Sequence, residues 1–305
     1  MLPITVLREN GSRHVRVSAR ELADLIGGIG AEGDLFLIVQ RIPDLPDVFI
    51  QVWHRFGEGC VLEHRDGGPG RHFQVLLDTP DAAVAAMTGW ARQELDWDKE
   101  FAWRRLKLRA PRRVRPPKLD EDERAQLEAR VREALVGGYA TRAELAELAE
   151  ECLVSGRRRP VSPEQARQLA DRMWLERVGE QADWEGETDP ERLTRAFTAL
   201  EAAGVTAREN FTCCRSCGDS EIRAAAAPGA RGFVYFHSQC TDSAVAGRGL
   251  PLLCGGFDGS TEQAAAIGRE VVAALEAAGL RSQWDGDPAR TVTVTPLDWR
   301  KRLVG

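Results

Sequence analysis

Hydrophobic and polar positions recur with two different periods along this 305-residue chain. Up to residue 108 the period is mostly two. The runs "LFLIVQRI", "VFIQVWHRF", "CVLEHR" and "HFQVLLD" are rich in β-branched and aromatic residues and are parted by Pro, Gly and Asp. That pattern predicts four strands joined by turns. In the second run Ile50, Val52 and His54 alternate with Gln51, Trp53 and Arg55, so one face packs and the other is at least partly wet. A helix is predicted on each side of the strands. "SARELADLIGGIG" opens with Ser18 as N-cap and closes in glycines, and "TPDAAVAAMTGWARQEL" carries Pro80 in its first turn. Residues 1–108 therefore read as an antiparallel meander with flanking helices.

"LRAPRRVRPPK" then breaks all periodicity, and residues 109–118 read as a basic, proline-rich linker. Its arginines lack interleaved aromatic rings, which favours a solvated hinge over a phosphate grip. Over residues 119–188 the period lengthens to that of helices: "DEDERAQLEARVREALVGG", "TRAELAELAEECL" and "SPEQARQLADRMWLERVGEQ". Thr141 with Glu144 and Ser162 with Gln165 have capping-box spacing. Two helices around "GG" have a helix-turn-helix outline, but the second is acid-rich where a recognition helix is basic, so scaffold is the preferred reading.

Residues 189–305 return to mixed α/β character. Asp189-Pro190 starts a helix with Leu193, Phe197 and Leu200 on one face, closing at Gly204. Ser260 and Gln263 cap another, with Ala264, Ile267, Val271 and Leu275 inward and Gly279 as its stop. "RENFTCC", "GFVYFHSQ", "LPLLCGG", "RSQW" and "TVTVTPL" are the candidate strands. A small mixed sheet with helices on one face is expected, and the whole chain reads as α+β.

Composition narrows the function classes. With 43% apolar and 29% charged residues the chain is an ordinary globular protein. A net charge of -6 disfavours a nucleic-acid partner. The start, "MLPITVLREN", lacks a basic segment followed by an apolar run, and no stretch has the length of a membrane span. A cytoplasmic setting with reduced thiols, and no membrane partner, is the expectation. Seven cysteines, an odd number, then point to metal or thiol chemistry rather than disulfides for any tight cluster.

"NFTCCRSCGDSEI" is that cluster. Cys214-Arg-Ser-Cys217-Gly218 has the form of a zinc knuckle: two intervening residues let both sulfurs reach one ion, and the glycine allows a positive φ. Two further ligands are needed, and His237 with Cys240 in "HSQC" would complete a Cys₃His tetrahedron with Cys214 and Cys217. Cys213 is the alternative ligand, although neighbours on an extended strand diverge. The rival readings are packed thiols and a redox or hydrolytic thiol enzyme built on Cys214 or Cys217 with His237 as base and Asp242 orienting it. Spacing ranks structural zinc first. Cys60, Cys152 and Cys254 read as core. His54, His64 and His72 fall on successive strands, where a polar surface role outranks a shared metal. Trp184, Trp284 and Trp299 each neighbour an acid or a turn and read as loop anchors.

"ADWEGETDPERLTRAFTALEAAGVTARENFTCCRSCGDSEI", "GFVYFHSQCTDSAV", "WDGD" and "LDWRKR" follow one another in order over about residues 119–303. This run resembles an uncharacterised bacterial family of domains of unknown function, a resemblance that implies kinship rather than an activity. In that family's pattern an aspartate stands where this chain has Cys240, which moves weight towards Cys213 or towards a reading without a metal. The first domain is more loosely similar to small immunity proteins of bacterial toxin systems, which implies binding of another protein without catalysis. The expectation is a binding protein, its partner another protein, with a zinc knuckle in the C-terminal domain.

Overall fold

The computed structural model describes residues 1–109 and 114–304, so residues 110–113 of the expected linker lie outside it. The chain divides into two compact units. One comprises Met1–Lys118, Thr141–Leu175 and Leu303–Gly305, the other Leu119–Ala140 and Glu176–Arg302.

In the first unit seven strands, β1 (Ile4–Arg8), β2 (Arg13–Val15), β3 (Phe36–Arg41), β4 (Val48–His54), β5 (Cys60–Asp66), β6 (His72–Leu77) and β7 (Arg104–Arg105), form one antiparallel sheet in the order β2-β1-β3-β4-β5-β6-β7. The predicted alternation sets the register. Val39 faces Ile50, Leu37 faces Val52, and Val52 faces Leu62, all buried on one face. Helices α1 (Ala19–Gly27) and α2 (Pro80–Ala91) complete this core through Leu22, Ile26, Met87 and Trp90. Ser18 caps α1 in a full capping box. The meander is therefore as expected, with β1, β2 and β7 added at its edges. The other face is half-buried, and Phe36, Ile38, Trp53 and Val61 line an open groove of about 480 Å³ there.

The predicted helical stretch forms α3 (Glu121–Gly137), α4 (Arg142–Glu151) and α5 (Pro163–Ala182). Its caps are those read from the spacing: Glu144 N–H donates to the Thr141 hydroxyl at 3.2 Å, and Gln165 N–H to the Ser162 hydroxyl at 3.3 Å. Within the first unit Arg142 donates from Nε to Asp44 and from Nη1 to Asp171, both at 2.6 Å, while the Trp174 indole N–H donates to the Asp44 carbonyl at 2.6 Å.

The three strand histidines do not share a site. His54 contacts Cys60 Sγ, and His72 lies 3.1 Å from Glu63. His64 is buried among the rings of Phe73, Trp97 and Trp103, at centroid distances of 5.0, 5.0 and 4.6 Å. Aromatic contact displaces the expected surface role there.

The second unit has five strands, β8 (Val205–Arg208), β9 (Gly232–Tyr235), β10 (Leu250–Gly256), β11 (Ser282–Gln283) and β12 (Val292–Val294), in the order β11-β12-β10-β9-β8. The sheet is mixed: β8 and β9 run parallel, the other pairs antiparallel. Helices α6 (Asp189–Ala202), α7 (Arg215–Glu221), α8 (Ser238–Val245) and α9 (Thr261–Ala277) surround it. Leu193, Phe197 and Leu200 of α6 and Ile267, Val271 and Leu275 of α9 are buried as their period predicts. Helices cover both faces rather than one. A Cβ at Gly232 would meet Ile267 of α9, whereas Tyr235, an odd number of residues away, meets α7 at Gly218 on the opposite side of the pleat.

The tryptophan anchors are in place: Trp284 Nε1 donates to the Asp287 carbonyl at 2.9 Å, Trp299 Nε1 to the Gly137 carbonyl at 3.3 Å, and Arg177 lies 4.5 Å over the Trp184 ring. Next to Gly137, Tyr139 donates to Glu209 at 2.6 Å. Burial pushes the Glu209 carboxyl up, but Lys301 at 2.8 Å, Thr194 and Tyr139 outweigh it and hold it below the usual range. Among the described residues no helix is long and apolar enough to cross a membrane.

Candidate metal centre

Beyond β8 the chain changes direction twice before the cysteines. Asn210 (φ 47°) and Thr212 (φ 62°) both take left-handed backbone, an unfavourable state for a β-branched residue. Neighbouring chain holds it there. Phe211 N–H donates to the Phe236 carbonyl at 2.7 Å and Ser238 N–H to the Thr212 carbonyl at 3.2 Å. The Ser238 hydroxyl donates to the Cys213 carbonyl at 3.0 Å, and the Thr241 hydroxyl to Asn210 Oδ1 at 2.8 Å. Backbone strain fixed from several directions in this way concentrates at functional sites.

The chain then enters α7, with Cys214 at its N-cap and the Gly218 N–H donating to the Cys214 carbonyl at 3.0 Å. This corrects the expected knuckle. Gly218 lies inside the helix rather than at a positive-φ turn, and the left-handed residues are Asn210 and Thr212 instead. Glycine is required at 218 for another reason: a Cβ there would sit 2.5–2.8 Å from atoms of the Tyr235 side chain. The Tyr235 hydroxyl donates to Asp219 Oδ1 at 2.5 Å, which ties α7 to β9.

The two left-handed turns also remove the extended strand on which adjacent cysteines would diverge, since β8 stops at Arg208. The sulfurs of Cys213, Cys214 and Cys217 all lie within 4.8 Å of one another. Cys213 Sγ and Cys217 Sγ are 3.6 Å apart. Thiolates bound 2.3 Å from one tetrahedral zinc ion are about 3.8 Å apart, so the spacing suits a shared ion. Cys213 is exposed and the other two are half-buried, which leaves one side of the cluster facing solvent.

Electrostatics separate Cys214 from Cys217. The Cys217 backbone N–H, then the thiols of Cys217 and Cys213, lower the Cys214 pKa, with a smaller contribution from the Ser216 N–H. The sulfurs of Cys213 and Cys214 push Cys217 up to about 11. Crowded thiols resist ionising together, and a bound cation reverses that preference because it deprotonates its thiol ligands.

His237 and Cys240 form a separate pair. His237 is the N-cap of α8, and its Nε2 and Nδ1 lie 3.5 and 3.6 Å from the buried Cys240 Sγ. Neither belongs to the group of three sulfurs. Burial lowers the His237 pKa and raises that of Cys240; the charges acting on His237 are Asp219 and Arg215, not the Asp242 of the thiol-enzyme reading. Of the other cysteines, Cys60 lies in the core of the first unit and Cys254 packs against that of the second, whereas Cys152 is only half-buried. Sequence reasoning missed α7 and α8, and with them Ser238 and Thr241 as the groups that hold the cysteine loop. Ser238 fell inside the run "GFVYFHSQ" read as a strand, so no local signal marked its role.

A family model for a domain of unknown function (DUF6891) matches residues 120–303, a segment that contains the entire thiol cluster. No curated protein and no solved structure matches the chain.

Proposed function

The chain belongs to the DUF6891 family, and from that premise we propose that the matched domain is a soft-metal-binding module, with Cys213, Cys214 and Cys217 as ligands and Zn²⁺ as the reference ion. The observation that carries this reading is the convergence of three sulfurs within 4.8 Å on a strained, multiply hydrogen-bonded loop. Three protein ligands with a solvent-facing side correspond to a site with an open fourth position, unlike the closed four-ligand sites of purely structural zinc. His237 and Cys240 then support the site through α8, whose Ser238 and Thr241 fix the loop, rather than completing the shell.

The first unit is proposed to contribute binding of another protein, as in toxin-system immunity proteins. Supporting this are the half-buried apolar side chains Phe36, Ile38, Trp53 and Val61 along one open groove.

Cobalt substitution tests the metal reading. One equivalent of Co²⁺ added to the reduced full-length protein under argon is expected to give thiolate-to-cobalt absorption in the near ultraviolet, diminished in Cys213→Ser. A spectrum with no thiolate-to-metal band would reject the site.

A further inference from the structure

We propose that Cys213 and Cys217, rather than the CxxC pair Cys214 and Cys217, are joined in a reversible disulfide by low-molecular-weight disulfides. The two sulfurs are in contact at 3.6 Å, so closure to the 2.05 Å of an S–S bond needs a displacement of about 1.5 Å. Cys213 is the exposed member of the cluster and the one an incoming disulfide reaches. Cys214 is the N-cap of α7 and is half-buried, so an incoming disulfide meets it less readily than Cys213.

The exchange balances without further reactants. The Cys213 thiolate attacks one sulfur of RSSR, forming Cys213–S–SR and releasing RS⁻. The Cys217 thiolate then attacks the Cys213 sulfur, forming the protein disulfide and releasing a second RS⁻. The two protons of the cysteine thiols leave on the released RS⁻ groups as 2 RSH, and two electrons pass from the protein to RSSR. Nothing in this step requires a metal, so it goes beyond the metal reading. The two readings meet at one point: a sulfur held in a disulfide is no longer a thiolate ligand, so oxidation and ion binding exclude each other.

Trypsin makes the pair directly readable. Cleavage after Arg208, Arg215 and Arg223 places Cys213 and Cys214 on "ENFTCCR" and Cys217 on "SCGDSEIR". Metal-free full-length protein is treated with oxidised glutathione, quenched by alkylation at low pH, digested and sequenced by mass spectrometry. The expected product is the two peptides cross-linked, with the alkyl label on Cys214. That cross-link persists in Cys214→Ser and is lost in Cys213→Ser. A label on Cys213, a disulfide confined to "ENFTCCR", or glutathione adducts without a cross-link would each overturn the proposal. A parallel sample with one equivalent of Zn²⁺ separates the readings. Slower cross-linking there supports both, whereas an unchanged rate with the same cross-link rejects the metal reading alone.

Discussion

Gly218 faces the ring of Tyr235 so closely that a Cβ would stand 2.5 Å from Cε2. Neither partner has room to retreat, since Tyr235 is fully buried and its hydroxyl is engaged by Asp219. Gly218→Ala is therefore expected to lower stability by about 1–3 kcal/mol through overpacking, read as a shift of the urea midpoint. An unshifted midpoint would mean that α7 is free to move off β9. The same variant is expected to weaken metal binding, because Cys217 lies on α7 and Cys214 is its N-cap.

In the first unit Asp44 is buried and shares the Arg142 guanidinium with Asp171. Burial raises the Asp44 pKa even against that cation. Removing the cation in Arg142→Ala leaves a buried carboxylate unpaired, a change that costs about 3–5 kcal/mol. The double variant Asp44→Leu/Arg142→Met is expected to recover most of that loss. Equal destabilisation in the single and double variants, by equilibrium denaturation, would contradict the pairing.

His64 makes stability fall with acid. Its aromatic surroundings depress its pKa from 6.5 to about 4, burial being the main cause. Below pH 6.5 the unfolded chain takes up a proton that the folded one refuses, so stability declines as pH drops and the full loss is reached near pH 4. A shift of that size corresponds to about 3 kcal/mol. His64→Phe, which keeps the ring contacts, is expected to flatten this part of the stability–pH curve. An unchanged slope would show that another group sets it.

Much of the fold was legible because it follows hydrophobic period. Ile50 and Val52 on β4, Leu193 and Phe197 on α6, and Ile267 and Val271 on α9 are buried where alternation or helical spacing placed them. The caps at Ser18, Thr141 and Ser162 were equally plain, since a side-chain acceptor at a fixed offset is a local signal. The site was legible only in part. α7 consists of "RSCGDSE", whose residues mostly have weak helix propensity. It forms because Tyr235, sixteen residues beyond Asp219, takes that carboxylate and fills the space left by Gly218. The convergence of Cys213 with its neighbours depends on left-handed backbone at Asn210 and Thr212, which tertiary hydrogen bonds from Ser238 and Thr241 impose. No spacing rule reports a contact made across that separation. His64 was misread for the same reason: the rings that enclose it, Trp97 and Trp103, come from beyond α2.

The most direct test of the central claim is zinc stoichiometry, measured by mass spectrometry on reduced full-length protein after equilibration with Zn²⁺ and removal of excess. About one ion per chain is expected, falling in Cys213→Ser, Cys214→Ser and Cys217→Ser, and retained in Cys240→Ser. Retention in Cys213→Ser with loss in Cys240→Ser would replace the three-sulfur cluster with a different ligand set. No bound zinc in the unmodified chain would contradict the account outright.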